Sequence, residues 1–323
     1  MKILVTGGHG LIGHKLVEKL QKNQHEISVI DNHTNYGFIP QDEIYYLVSQ
    51  RLKILKPHDH HNIDIVNSKS VDRVIMTHRP EVVVHMASFP RQKAVNADPA
   101  RGADVMMRGL INLLESCRST DLKRFVYISS SMVYGDFTDY VTENSQCQPL
   151  GQYAIMKLAG EWLVRDYARK YGWEYVIIRP SAVYGPLDVE DRVVAKFMLN
   201  AMRGGTLKVN GRDEKLDFTY VDDAAQGICH AVDHTDAANE IFNITKSHSV
   251  SLLSAAEMIV KIVGQGSIQV GNKDRDFPSR GALDITKARN LLNFHPEVDV
   301  EQGFHEYYSW LSTSEYWQNR LKT

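Results

Sequence analysis

The sequence predicts an α/β protein built on a doubly wound parallel sheet, with a smaller, mixed α/β segment towards the C-terminus. Two observations carry that prediction. Short apolar runs (Ile3-Leu4-Val5, Ile27 to Ile30, Val82-Val83-Val84 and Phe125 to Ile128) alternate with helical patterns through Leu16, Val17 and Leu20, through Val71 to Thr77, and through Ala103 to Cys117. Strands buried on both faces read as continuous apolar runs, and strand–helix alternation specifies parallel pairing. The first, third and fourth runs also lead into glycine, small or hydroxyl residues, which suit the ligand edge of such a sheet.

The totals narrow the class. A chain of 323 residues buries a substantial core, and 43% hydrophobic with 24% charged residues is ordinary for a globular protein. A formal net charge of −2 provides no electrostatic footprint for nucleic acid or an anionic membrane. Cys117, Cys147 and Cys229, odd in number and widely spaced, suit free thiols in a reducing compartment. The first strand begins at Met1 and no apolar run approaches membrane-spanning length, so a cytoplasmic protein is expected.

The first strand runs into Thr6-Gly7-Gly8-His9-Gly10-Leu11-Ile12-Gly13 and then a helix. Gly7 permits a tight turn, Gly10 lets backbone approach a pyrophosphate, and Gly13 lets the helix pack closely. Leu11 and Ile12 open the helix whose N-terminus takes the anion. The second strand ends on Asp31, followed by Asn32, at the distance expected of a carboxylate that accepts from adenosine ribose hydroxyls. A carboxylate repels a 2′-phosphate, so the pattern reads as NAD rather than NADP. Taken without Asp31, the glycines are also compatible with an ordinary strand-to-helix turn.

From Asn32 to about His61 the chain is polar with weak strand or helix signals. His58-Asp59-His60-His61 reads as a solvated loop, with no Cys or Glu at ligand spacing, and no metal is expected. Asn62 to Ile65 reads as a third strand end, where Asp64, beside Ile65, is placed to bond an adenine amino group; a capped surface turn explains Asp64 equally well. Glu81 to Ser88 reads as a buried strand whose small end, Met86-Ala87-Ser88, lets a cofactor lie across it. The strand Arg124 to Ile128 then delivers Ser129-Ser130-Ser131-Met132-Val133-Tyr134-Gly135 to the ligand edge.

Gln152 to Lys170 predicts a helix with Tyr153 and Lys157 on one face. A free phenol is a poor base at neutral pH. A neighbouring ammonium and a nicotinamide cation both favour the phenolate, and a serine hydroxyl can share the proton in transit.

With these pieces in place the sequence resembles the extended short-chain dehydrogenase/reductase family, and within it the nucleotide-sugar epimerases and dehydratases. Nearly the whole chain is covered. Arg179-Pro180-Ser181-Ala182-Val183-Tyr184-Gly185-Pro186, Asp217 to Asp223 and Asp284 to Ala288 add to the match. The resemblance implies a Rossmann domain over 1–178, with a return segment near 218–244, and a mainly substrate-binding domain over 179–323. It implies Tyr153 as catalytic base, Lys157 as ligand of the nicotinamide ribose and Ser130 as the third catalytic group. Ser129 and Ser181 are then candidate cofactor contacts, and a homodimer through the helices around 103–117 and 152–170 is expected.

The departures matter as much. Similar 4,6-dehydratases carry an Asp-Glu pair where this chain has Ser131-Met132, and neither residue can supply the acid or base of a water elimination. An Asn usual in the family aligns with Met106. The family's pyrophosphate-binding Asn and Arg appear as Ala182 and Leu216, which leaves Lys215, Arg212, Arg275 and Arg280 as candidate cations for a diphosphate. Ser131, Met132, Ala182, Lys215 and Arg280 are the candidate substrate contacts, and Lys273 to Gly281 a loop suited to closing over a polar ligand. The expectation is an NAD-dependent epimerase acting at C4 of an NDP-hexose, or else an NDP-keto-sugar reductase or dehydrogenase with the same triad. A non-catalytic NAD-sensing module would be free to lose Tyr153 or Lys157, and both are present.

Overall fold

The structure, a computed structural model, describes residues 1–34, 37, 39–89, 92–275 and 277–322. Seven strands form a wholly parallel sheet: β1 (Lys2–Thr6), β2 (Glu26–Ile30), β3 (Asp59–His61), β4 (Val82–His85), β5 (Arg124–Ile128), β6 (Glu174–Pro180) and β7 (Glu240–Ile244). Their order is β7-β6-β5-β4-β1-β2-β3. The chain therefore winds outward from β1 in one direction and then returns to build the other half from β4. The switch point falls between β1 and β4, and the crevice beyond their carboxyl ends is where such a sheet receives ligands.

Helix α1 (Leu11–Lys22) buries Leu16, Val17 and Leu20 against Val5, Val29 and Val84 of the sheet. The opposite face packs on α3 (Ser68–His78) and α4 (Gly109–Cys117) through Val71, Ile75, Leu110 and Leu114. After Phe218 the chain recrosses. Helix α6 (Val221–Asp233) lays Ala225, Ile228, Cys229 and Val232 into the core that also holds α1, and β7 then pairs with β6. A second core gathers Phe197, Met198, Phe218, Ile259, Phe304, Tyr307 and Trp317, so the aromatic C-terminal tail is packing.

Three sequence expectations are corrected. The polar stretch before His61 contains helix α2 (Gln41–Ile54), whose buried face uses Glu43 and Arg51 besides Ile44, Leu47 and Val48, which masked its periodicity. The third strand is Asp59–His61, not Asn62 to Ile65, so the histidine run is an edge strand rather than a loop. The expected single helix over 103–117 is a short helix Pro99–Ala103, a π-turn Asp104–Arg108 holding Met106, and α4.

Candidate active site at the carboxyl ends of β1, β4 and β5

The glycine turn is shaped by close approach. Gly7 has φ of +73°, and a Cβ there would stand 2.8 Å from the backbone nitrogen of Ala87. A Cβ on Gly13 would lie 2.2 Å from the carbonyl of Gly7, so Gly13 seats α1 on its own turn rather than on the strand. Gly10 differs: a Cβ there would meet only the Gly7 carbonyl, at 3.1 Å. Gly10 caps α1 with no side-chain hydrogen bond, so the first N–H groups, from Leu11 and Ile12 onward, stand in an uncrowded cradle of the kind a pyrophosphate fills.

Asp31 lies just past β2. Its Oδ2 accepts from the His9 backbone N–H at 3.0 Å and its Oδ1 from that of His33 at 2.9 Å. A carboxylate offers about four acceptor sites, so roughly two remain for ribose hydroxyls. The Asn32 side chain braces the same loop by accepting from the Thr34 N–H. Arg51, buried on α2, donates to the carbonyls of His9 and Leu187 at 3.0 and 2.6 Å and so ties the glycine turn down. Sequence reading missed Arg51, because a lone arginine within a helix carries no local signal.

Two adenine-side candidates are engaged locally. Asp64 is exposed and its Oδ1 accepts from the Val66 N–H at 2.9 Å, which closes a local turn. Ile65 is buried against Gly109, and its carbonyl accepts from Asn112. Met86 and Ala87 cross the end of β4, with Ala87 N–H donating to Thr6 Oγ1 at 3.2 Å, and the Ser88 hydroxyl makes a long bond to the Phe89 carbonyl.

Beyond β5, Ser130 accepts through Oγ from the Met132 N–H at 3.2 Å, capping the short 3₁₀ turn Ser131–Tyr134. Helix α5 (Gln152–Tyr171) brings Tyr153 and Lys157 to the same edge. Lys157 donates to the Ile128 carbonyl at 2.8 Å, and its Nζ lies 5.9 Å from the centre of the Tyr153 ring. Burial pulls the Lys157 ammonium down to about 8, against the opposing charge of Glu161. Burial pushes the Tyr153 phenol above its ordinary value, opposed by Arg192, by the nearby Ser130 hydroxyl and by Arg280. Arg192 and Arg280 thus join Lys157 as cations around this phenol.

Ser129 is turned away from this volume: its hydroxyl donates to Glu161, so only its backbone faces the ligand edge. Glu161 was missed, although it continues the Tyr153–Lys157 spacing by one more turn. Ser131 Oγ and Ser181 Oγ are buried without a hydrogen-bond partner among the described residues, and Met132 is buried beside them. Orphaned hydroxyls at this edge, with the bare cradle over Gly10, fit a dinucleotide and a polar substrate.

Ala182 adopts φ of +34°, a conformation suited to the Asn it replaces. Leu216 pairs with Val250 in a small antiparallel ladder. Lys215 pairs with Asp139 at 3.2 Å. Arg212 and Arg275 are exposed. Arg280 fits better: its Nε is buried without a hydrogen-bond partner among the described residues, and burial brings its guanidinium down to about 10, so it stays charged at neutral pH. Of the loop 273–281, Asp276 lies outside the described residues.

Comparison with known proteins shows the family of the chain. Residues 3–245 match the NAD dependent epimerase/dehydratase family. A putative UDP-glucose 4-epimerase of Methanocaldococcus jannaschii is 31% identical over 97% of this chain and 99% of its own length. A Bacillus subtilis protein named as an uncharacterized UDP-glucose epimerase, YtcB, is 30% identical over 97% of this chain and 98% of its own. The crystal structure of UDP-glucuronic acid 4-epimerase from Bacillus cereus, in complex with UDP-glucuronic acid and NAD, superposes with a TM-score of 0.88 at 28% identity, covering 96% of this chain and 98% of that one.

Proposed function

The chain belongs to the NAD dependent epimerase/dehydratase family, and from that premise we propose that it is a nucleotide-sugar epimerase inverting C4 of an NDP-hexose through a transient 4-keto sugar. One observation carries the reading: Tyr153, Ser130 and Lys157 converge at the end of β5, on the sheet edge where Ser131 and Ser181 follow β5 and β6 with buried hydroxyls that lack partners among the described residues. Bound NAD supplies acceptance and return of hydride at the carbinol carbon. Gly7, Gly10, Leu11, Ile12 and Gly13 would hold its pyrophosphate end, Asp31 and Asn32 the adenosine ribose, Ile65 and the Asp64 turn the adenine, Met86, Ala87, Ser88 and Ser181 the middle, and Lys157 the nicotinamide ribose.

Tyr153 takes the hydroxyl proton as the carbinol is oxidised and gives it back on the other face of the sugar. Ser130 shares that proton, and the positive charges of Arg192 and Arg280 stabilise the phenolate. Arg280 is also the cation best placed to meet a diphosphate. Water elimination lacks its machinery, since Ser131 and Met132 stand where an acid and a base are required. UDP-sugars, glucose or glucuronate, are the substrates to try first, given the relatives. We further infer a homodimer through α4 and α5, on which Ile111, Ile155 and Trp162 are 38, 52 and 61% exposed.

The test is an absorbance and fluorescence spectrum of the purified protein, before and after denaturation, while UDP-, GDP-, CDP- and dTDP-sugars are added. Stoichiometric NAD(H) that stays bound with no net reduction during turnover is expected. Protein that arrives empty and changes absorbance only with free NAD(P)(H) would point instead to an NDP-keto-sugar reductase or dehydrogenase.

A further inference from the structure

Histidines from three separate segments meet beside Asp31. His9 comes from the glycine turn, His33 from the loop after β2, and His58 and His60 from β3 and the residue before it. One ring nitrogen from each of His9, His33 and His60 lies within 4.8 Å of the other two. The rings of His9 and His60 are 4.5 Å apart and those of His33 and His60 4.9 Å. His9 Nδ1 is 2.8 Å from His33 Nε2, and His9 Nε2 is 2.9 Å from His58 Nε2.

The hydrogen bonds around these rings decide which nitrogens carry lone pairs. A carbonyl only accepts, so His58 Nδ1, 2.9 Å from the Lys56 carbonyl, carries a hydrogen and leaves Nε2 as an acceptor. His9 then donates to His58 through Nε2–H, which leaves His9 Nδ1 to accept from His33 Nε2–H and puts the His33 lone pair on Nδ1. His60 Nε2, 2.9 Å from the Asp31 carbonyl, likewise carries a hydrogen and leaves Nδ1 bare. Ligand imidazoles are typically oriented in this way, by a second N–H given to a carbonyl or another acceptor.

The backbone beneath is anchored as a ligand set requires. The N–H groups of His9 and His33 both bond Asp31, Arg51 holds the His9 carbonyl, and His60 is in register with Val29 in the sheet. His9 itself is only 1% exposed. The nearby Asp31 carboxylate supplies a compensating charge.

We propose that His9, His33 and His60 form a three-imidazole site for a divalent transition metal ion, zinc first, with His58 as the residue that orients His9. Zn–N bonds near 2.0–2.1 Å place tetrahedral ligand atoms about 3.4 Å apart, so ring shifts of about an ångström, made by exposed His60 and by His33, close the set. Three imidazoles leave a fourth coordination position open, and imidazole also suits copper and nickel. Because Asp31 braces both the ligand backbone and the ribose end of the dinucleotide site, this ion would sit at the edge of the cofactor cleft and outside the reacting atoms.

The experiment is calorimetric titration of untagged, metal-free full-length protein with zinc chloride, paired with cobalt(II) titration followed in the visible range. One equivalent of zinc per chain and a cobalt spectrum of nitrogen ligation are expected. His33→Ala and His60→Ala should each weaken zinc on the order of tenfold or more, with His58→Gln giving a smaller loss. His78→Ala, which removes the separate His61–His78 contact of 2.8 Å, should leave the affinity unchanged. Far-UV circular dichroism and melting in EDTA show that each variant is folded. The proposal is overturned if wild type takes up no stoichiometric zinc, if the double variant His33→Ala/His60→Ala binds as wild type does, or if His78→Ala weakens binding equally.

Discussion

Arg179 of β6 and Glu161 of α5 form a two-pronged buried ion pair, with Nε to Oε1 at 2.9 Å, Nη2 to Oε2 at 2.6 Å and each side chain 3% exposed. Ser129 donates to the same Oε1, and Arg179 reaches the Tyr134 hydroxyl at 3.0 Å, which in turn donates to Asn243 at 2.8 Å. The network therefore links α5, β5, β6 and β7 directly behind Tyr153 and Lys157. Removing one partner strands a buried charge, so Glu161→Gln is expected to cost about 3–5 kcal/mol in urea unfolding. Adding Arg179→Met should cost much less than a second full penalty. Additive losses would show that the two charges do not act as a pair.

Tyr153→Phe keeps the ring and deletes the hydroxyl that exchanges the substrate proton. Turnover should fall by roughly 10²–10⁴, while calorimetric binding of NAD and UDP-sugar stays close to wild type. Turnover near wild type would reassign the base.

Ala182 holds a left-handed φ of +34° without the side chain that makes such a backbone comfortable. Ala182→Asn should raise stability by about 1 kcal/mol and tighten binding of a nucleoside diphosphate through its amide. A lower melting temperature, or unchanged diphosphate affinity, would show that the site has closed around the smaller residue.

Glu43 is fully buried, one oxygen accepting from the Glu190 N–H at 2.8 Å and Oε2 lacking a partner among the described residues, and burial pushes its carboxyl up to about 7. The folded state thus holds a proton that the unfolded chain has released. The stability this contributes is complete below the ordinary carboxylate range and is lost as pH rises through about 7. Glu43→Gln cannot ionise. Its stability relative to wild type should therefore rise between pH 5 and pH 8, by on the order of 1 kcal/mol after allowance for screening. A difference that stays flat across melts in that window would mean Glu43 does not titrate there.

Much of the molecule was legible in its sequence because the signals are local. Runs such as Val82 to Val84 set buried strands, Gly7 and Gly13 set a turn that no bulkier residue fits at those two positions, and the spacing of Tyr153 and Lys157 places both on one turn-to-turn face of α5. What the tertiary structure alone decided are relations between residues far apart in the chain. It pointed Ser129 inward to Glu161, paired Lys215 with Asp139, turned Arg51 of a poorly periodic helix into the anchor of the glycine turn, and drew His9, His33, His58 and His60 together. No periodicity encodes such meetings, because they depend on which loops a parallel sheet brings to one edge. A polar side chain once buried must take whatever partner the neighbouring element presents.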